Sequence, residues 1–217
     1  MPTSVESVRS TRSLLLQAGA RLLAEHGSDA LTARRLAREV GASTMAVYTH
    51  FGSMDELRRE IRAAGYARLA QSWGTVSRTR DPVADLTVSG ASYVGFALAN
   101  PNLFRAMFFE IPGADVHVPP PDVAGTGVDF VRRCMDTGRF DEADPWSIMW
   151  QLWAATHGVV AGTLAGMIGV DEIEERLRAL GETMYVGFGD DRGAAKRSFA
   201  RARRRVRAQG AEGLLRG

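Results

Sequence analysis

Apolar residues recur three and four apart along most of this chain and nowhere alternate over a strand-length run, so the pattern predicts helices throughout. Leu14, Leu15, Ala18, Leu22 and Leu23 mark a first helix over about residues 7–26, closed by Gly27. The next stretch, LTARRLAREVGASTMAVYTHFGSMDEL at residues 31–57, predicts two short helices joined by a three-residue turn. Thr32 is a side-chain cap ahead of Leu36, Ala37 and Val40, which share one helical face. Gly41 follows the last periodic position, where a left-handed backbone ends a helix without strain. Ser43 or Thr44 caps the second helix, with Ala46 and Val47 packing back and the N-terminal side chains facing outward. Helices this short bury little alone, so both must dock on the first helix, with Phe51 plugging the space between. Ser53 and Glu56 form a capping box that opens a fourth helix. This is the layout of a helix-turn-helix.

Leu57, Ile61, Ala64, Leu69 and Trp73 carry the fourth helix to about residue 75. Asp81 and Pro82 then start a helix over residues 83–99, and Asn100 caps a short aromatic helix, NPNLFRAMFFE, at Pro101. Residues 111–126 hold Gly113, Pro119, Pro120, Pro121 and Gly125 and predict an irregular loop. Further helices are expected over residues 128–137, 144–168 and 171–186. The expected fold class is all-α, with an N-terminal three-helix reader, a helical C-terminal body and a basic tail. The boundaries fall at residues 1–53, 54–191 and 192–217.

From Trp146 to Val170 no residue is charged, and Gly158, Gly162 and Gly166 form a GxxxGxxxG series. A membrane span is one reading. Gln151, Thr156, His157 and Thr163 interrupt the run and no basic cluster flanks it, which favours a buried helix in a protein with no membrane partner. Trp146, Trp150, Trp153 and His157 fall on one stripe, suited to a cavity; the glycines lie on another, suited to a partner subunit.

Charge is uneven along the chain. Residues 1–65 carry nine Arg and seven acids, residues 66–191 nine Arg and seventeen acids, and residues 192–217 nine basic groups against Glu212 alone. The middle should avoid DNA. The tail, AKRSFARARRRVRAQG, has two readings: reinforcement of phosphate binding, or a solvated terminus lying on the acidic middle. The lone Cys134 excludes an internal disulfide and a cysteine-rich zinc site, and reads as a small apolar core residue. With no charged and apolar leader at its start, the protein is expected in the cytoplasm. The histidines, His26, His50, His117 and His157, stand apart from any local carboxylate cluster, so no metal or other cofactor is expected. No nucleophile, base and orienting group converge in the pattern, so no catalytic residue and no enzyme are expected.

Residues 11–60 resemble the tetracycline-repressor (TetR) family of bacterial transcriptional regulators, on LTARRLAREVGAS, then AVYTHF, then SMDEL. One departure is Met54, where the family often has a phosphate-contacting lysine. The resemblance implies a repressor of double-stranded DNA, bound as a homodimer to a palindromic operator. Ser43, Thr44 and Met45 then meet base edges at the tip of the reading helix. Tyr48 and His50 match backbone-contacting positions, and Thr32 with Arg34 holds a phosphate. Arg9 or Arg12 is expected to assist. The same resemblance implies that residues 144–168 and 171–186 form a four-helix dimer bundle, with Gly158, Gly162 and Gly166 at its interface. WAATHG, residues 153–158, is similar to the tryptophan and histidine-glycine signature of one subset of the family's C-terminal domains.

Trp73, Tyr93, Phe96, Phe104, Met107, Phe108, Met149, Trp150, Trp153 and His157 read either as plain core or as a pocket lining; the resemblance implies a ligand cavity, and a small apolar or aromatic effector is then expected among them. His157 has three readings: a buried histidine satisfied by a neighbour, which is favoured, an effector contact, or a metal ligand. The alternative to an effector-controlled regulator is a DNA-binding regulator with no small-molecule effector, controlled by abundance or by a protein partner.

Overall fold

The computed structural model describes residues 4–110 and 121–214, and these are all-helical. In order the helices are α1 (Ser4–His26), α2 (Ala33–Val40), α3 (Thr44–Phe51), α4 (Met54–Gly74), α5 (Pro82–Ala99), α6 (Pro101–Phe108), α7 (Pro121–Asp136), α8 (Pro145–Leu164), α9 (Ile173–Gly187) and α10 (Arg192–Leu214). Short 3-10 turns at Ser28–Ala30 and Val170–Glu172 precede α2 and α9. Among the described residues no helix is long and apolar enough to cross a membrane.

Two compact units divide the chain. The first comprises residues 1–68 and 99–119, the second residues 69–98 and 120–217. The division cuts across the boundaries expected from the pattern, because α6 groups with the N-terminal helices and α10 is part of the second unit.

In the first unit Leu15, Ala18, Leu22 and Leu23 of α1 are buried with Leu36 of α2, Val47 and Phe51 of α3, and Leu57 and Ile61 of α4. Leu14, read as part of that face, is half exposed instead. α6 fills its own part of this core. Tyr66 donates its hydroxyl hydrogen to the Met107 carbonyl at 3.0 Å, and its ring meets Phe108 edge-on with centroids 5.6 Å apart. A Cβ at Gly65 would lie 2.7 Å from Met107 Sδ, so a larger residue there would have to displace that side chain. Asn100 occupies the cap position of α6 without a capping side-chain bond; Pro101 in the first turn needs no donor satisfied.

In the second unit two structural readings of the sequence change. The expected loop ends earlier, since α7 begins at Pro121; positions 111–120 lie outside the described residues. The basic tail is the helix α10, and its buried side are small residues: Ala195, Ser198 and Ala202 are all within 1% of complete burial. α10 lies on the acidic part of the chain. Arg201 pairs with Asp81 at 2.6 Å, Arg205 with Asp85 at 2.6 Å, and Arg203 with Glu174 at 2.7 Å. Arg133 also reaches Asp85 at 2.8 Å, and Arg139 clamps the buried Asp190 through Nε and Nη2 at 2.6 and 2.8 Å. Burial alone would push the Asp81 and Asp85 carboxyls up. The hydrogen bonds from Arg201, Ala84 N–H and Ser198, and from Arg133, Thr79 and Arg205, outweigh it and hold both below the usual carboxylate range.

Candidate nucleic-acid interface and ligand cavity

The reading tip is set by side chains that bond to nearby backbone. Thr32 Oγ1 accepts from the Arg35 N–H at 3.3 Å and starts α2; Ser43 Oγ accepts from the Ala46 N–H at 3.2 Å and starts α3. Between them Gly41 takes φ 67° and ψ 27°. There the Ala42 N–H donates to the Ala37 carbonyl at 2.9 Å, closing α2 in a Schellman turn. α3 is anchored by only Val47 and Phe51 among its fully buried residues. Its remaining surface is left outside: Met45 is 70% exposed, Tyr48 46%, and Ser43 and Thr44 are exposed. His50 is half-buried near the end of the helix, and Arg34 is exposed on α2.

The seven residues assigned to DNA thus share two consecutive helices and their caps. Ser43 and Thr32 serve as caps, so their oxygens already accept one bond each and their hydroxyl hydrogens remain to donate outward. Arg12 departs from its expected role, because it pairs with Glu60 at 2.5 Å and lies over the Phe51 ring at 5.0 Å. The Arg9 side chain lies outside the described residues. Arg38, not singled out from the pattern, is also exposed, one turn beyond Arg34 on α2. Of the capping box only one half forms, the Glu56 N–H donating to Ser53 Oγ at 3.1 Å.

The second unit holds a half-open cavity of about 730 Å3, within the range of small-molecule sites. Of the ten residues assigned to an effector, Trp73, Tyr93, Met149 and Trp153 line it. The others do not line it. Phe104, Met107 and Phe108 belong to the core of the first unit described above. Phe96 is buried elsewhere, and Trp150 is 49% exposed on the outer face of α8, meeting Trp153 edge-on. His157 stands behind the wall: its Nδ1 is 2.7 Å from the Tyr93 hydroxyl and its ring stacks on Trp153 with centroids 4.6 Å apart. Burial lowers its pKa, so the imidazole is neutral near pH 7 and Nδ1 can accept the tyrosine proton. This satisfied histidine is the reading favoured from the sequence. Among the described residues no group of three or more His, Cys, Asp or Glu could hold a metal ion. Cys134 is fully buried, and burial pushes its thiol up to about 12.

The rest of the cavity wall was not legible from the pattern. Thr87 and Tyr185 line it with hydroxyls 3.3 Å apart, and Phe199, Lys196 and Arg204 come from α10. The Trp73 indole N–H is already committed to the Ser89 carbonyl at 3.0 Å. A helical reading of residues 192–214 would have shown Lys196, Phe199, Arg203 and Val206 recurring on one face.

The glycine series does not form one face. Gly162 is buried, and a Cβ there would lie 2.8 Å from Ile168 Cδ1 of the same chain. Gly166 lies beyond the end of α8 at φ 75°, as its terminator. Only Gly158 remains exposed on the helix, and every fourth residue with it: Trp146, Trp150 and Ala154. α9, packed beside α8, exposes Arg176, Ala179, Leu180 and Thr183.

An all-helical chain with a capped, outward-facing helix-turn-helix has the architecture of a DNA-binding regulator. Two family profiles match it: "Bacterial regulatory proteins, tetR family" over residues 15–61, and "Tetracyclin repressor-like, C-terminal domain" over residues 86–184. The chain belongs to the tetR family of bacterial regulatory proteins. HTH-type transcriptional regulators of Mycobacterium bovis and Mycobacterium tuberculosis are 30% identical to it over 128 residues, 56% of this chain and 53% of theirs. The chain thus matches about half the length of these curated relatives. Among solved structures, a protein of unknown function from Rhodococcus sp. superposes with TM-score 0.68 at 25% identity, covering 82% of this chain and 94% of the other. RolR in complex with resorcinol superposes with TM-score 0.66 at 15% identity, covering 91% and 96%. Proteins of this family are transcriptional regulators and not enzymes.

Proposed function

We propose that this protein is a sequence-specific DNA-binding transcriptional repressor, a homodimer on a palindromic operator that a small apolar or aromatic effector releases. The observation that carries the reading is the tip of α3. Ser43, Thr44, Met45 and Tyr48 are presented to solvent by a helix whose two inward residues are fully used in the core. Ser43 and Thr44 offer hydroxyls to base edges and Met45 an apolar chain to thymine methyls. Tyr48, His50, Thr32 and Arg34 fix register on the phosphates. One such reader spans only a few base pairs, so two readers on a two-fold axis and a palindromic site follow.

The dimer face in this reading is the exposed ridge of α8, Trp146, Trp150, Ala154 and Gly158, set beside the exposed side of α9. Gly158 allows close approach there, while Gly162 and Gly166 serve their own chain. Two aromatic residues on an exposed ridge are the usual anchors of an interface.

The cavity supports effector control over a regulator with none. Its Trp73, Tyr93, Met149 and Trp153 lining suits an apolar or aromatic body, and a similarly folded protein, RolR, holds resorcinol. Induction is a population shift: an effector that fits only one tilt of α4, the helix running from one unit into the other, favours a dimer whose readers miss successive grooves. The site of action is the cytoplasm, where the operator is.

The test is selection of bound duplexes from a random DNA library, followed by a screen of aromatic compounds for release of the selected duplex. The expected outcome is an enriched palindrome and a compound that weakens binding. Compounds that occupy the cavity and leave operator affinity unchanged would overturn the effector half of the proposal; a library with no enriched sequence would overturn all of it.

A further inference from the structure

The cavity does not have the charge balance of a pocket for a neutral hydrocarbon. Its lining includes Arg178, Lys196, Arg203, Arg204 and Arg207, against the two carboxylates Glu174 and Glu182. Both carboxylates are already taken. Glu182 holds Arg178 at 2.7 Å, and Glu174 holds Arg203 at 2.7 Å with Arg207 at 4.0 Å. Lys196 and Arg204 are left on the α10 wall with no anionic partner among the described residues.

The uncharged polar groups of the wall point the same way. Tyr93 is bonded to His157, Tyr185 to Thr87, and the Trp73 indole N–H to the Ser89 carbonyl. Each is satisfied within the protein, so the α5 and α8 walls present mainly ring faces and methionine, together with the Thr156 hydroxyl. A ligand with a neutral polar head finds few vacant partners here. One with a carboxylate finds two unpaired cations, one of them an arginine whose planar fork suits a bidentate bond to that head.

We propose that the effector of this cavity is an organic anion: an aromatic or alkyl body against Trp73, Tyr93, Met149 and Trp153, with its carboxylate drawn to the α10 cations, Lys196 or Arg204. This rests on the reading of the cavity as the effector site. It gives the basic C-terminal helix a role in ligand selection. Because both cations are solvent-exposed, screening limits their effect. The acid is therefore favoured over its neutral counterpart by about three- to fivefold.

The experiment is isothermal titration calorimetry of the full-length protein with three probes of one aromatic body: 1-naphthaleneacetate, 1-naphthaleneacetamide and 1-naphthylethylamine. The acid is expected to bind about three- to fivefold more tightly than the amide, and the amine most weakly. In the double variant Lys196→Gln, Arg204→Gln the acid should fall to the affinity of the amide. The amide should bind as it does to the wild type, which also reports that the variant is folded. An amide that matches or exceeds the acid in the wild type overturns the anion assignment and leaves the effector site standing. An acid preference that survives in the double variant overturns the assignment to α10. Failure of both acid and amide to bind at millimolar concentration overturns the effector site itself.

Discussion

Gly41 is the residue on which the reader's geometry turns, because its left-handed backbone lets α2 stop and redirects the chain into α3 within three residues. A side chain there meets no neighbour within 4 Å, so the cost of Gly41→Ala is backbone strain and not a clash. That cost is about 1–2 kcal/mol. The expected outcome is a lower denaturation midpoint with unchanged slope; equal midpoints would show that this turn does not constrain the motif. The caps at Thr32 and Ser43 were legible in the sequence for the same local reason: their bonding partners lie three residues away. Arg12 was not, since its partners Glu60 and Phe51 are 48 and 39 positions distant and only the packing of α1 brings them near.

At the scale of elements, legibility followed the size of the buried residues. α1 and α4 announce themselves through Leu and Ile at helical spacing. α10 does not, because its inward positions are Ala195, Ser198 and Ala202, which leave no large apolar signal beneath the arginines. Residues 192–217 therefore read as a tail. α8 misled in the opposite way: Gly158, Gly162 and Gly166 look like one stripe only if the helix runs past Leu164. With the helix ending there, the partner-facing ridge passes to Trp146, Trp150, Ala154 and Gly158. Trp150→Arg places a charge at the centre of that ridge, on an already exposed position. The variant is expected to keep its helical signal and its Tm within a few degrees while sedimenting as a monomer. A variant that remains dimeric would remove α8 from the interface.

At the scale of the whole molecule, Asp81 and Asp85 connect the start of α5 to α7, to Arg139 just beyond it and to α10, through arginines separated from them by 48 to 120 positions. No local pattern could have shown this. Folding lowers both carboxyl pKa values, so their contribution to stability is complete above the unfolded-state value of about 4 and is lost as pH falls through the folded-state values below it. The urea midpoint is expected to hold from pH 7 to pH 5 and to drop steeply toward pH 3. Asp85→Asn should cost about 3 kcal/mol at pH 7, since it leaves Arg133 and Arg205 against a neutral, buried side chain, and should flatten part of the acid loss. A midpoint that is flat down to pH 3 would contradict this account of the second unit.

The central claim is that the α3 tip reads bases while its neighbours hold phosphates. The direct measurement is fluorescence anisotropy of the selected operator and of its single-base-pair variants, with wild-type protein and with Thr44→Ala. Wild-type protein is expected to discriminate at one base pair in each half-site by about 1 kcal/mol. Thr44→Ala should lose that discrimination and keep the affinity of the remaining sites. Identical discrimination profiles for the two proteins would contradict it.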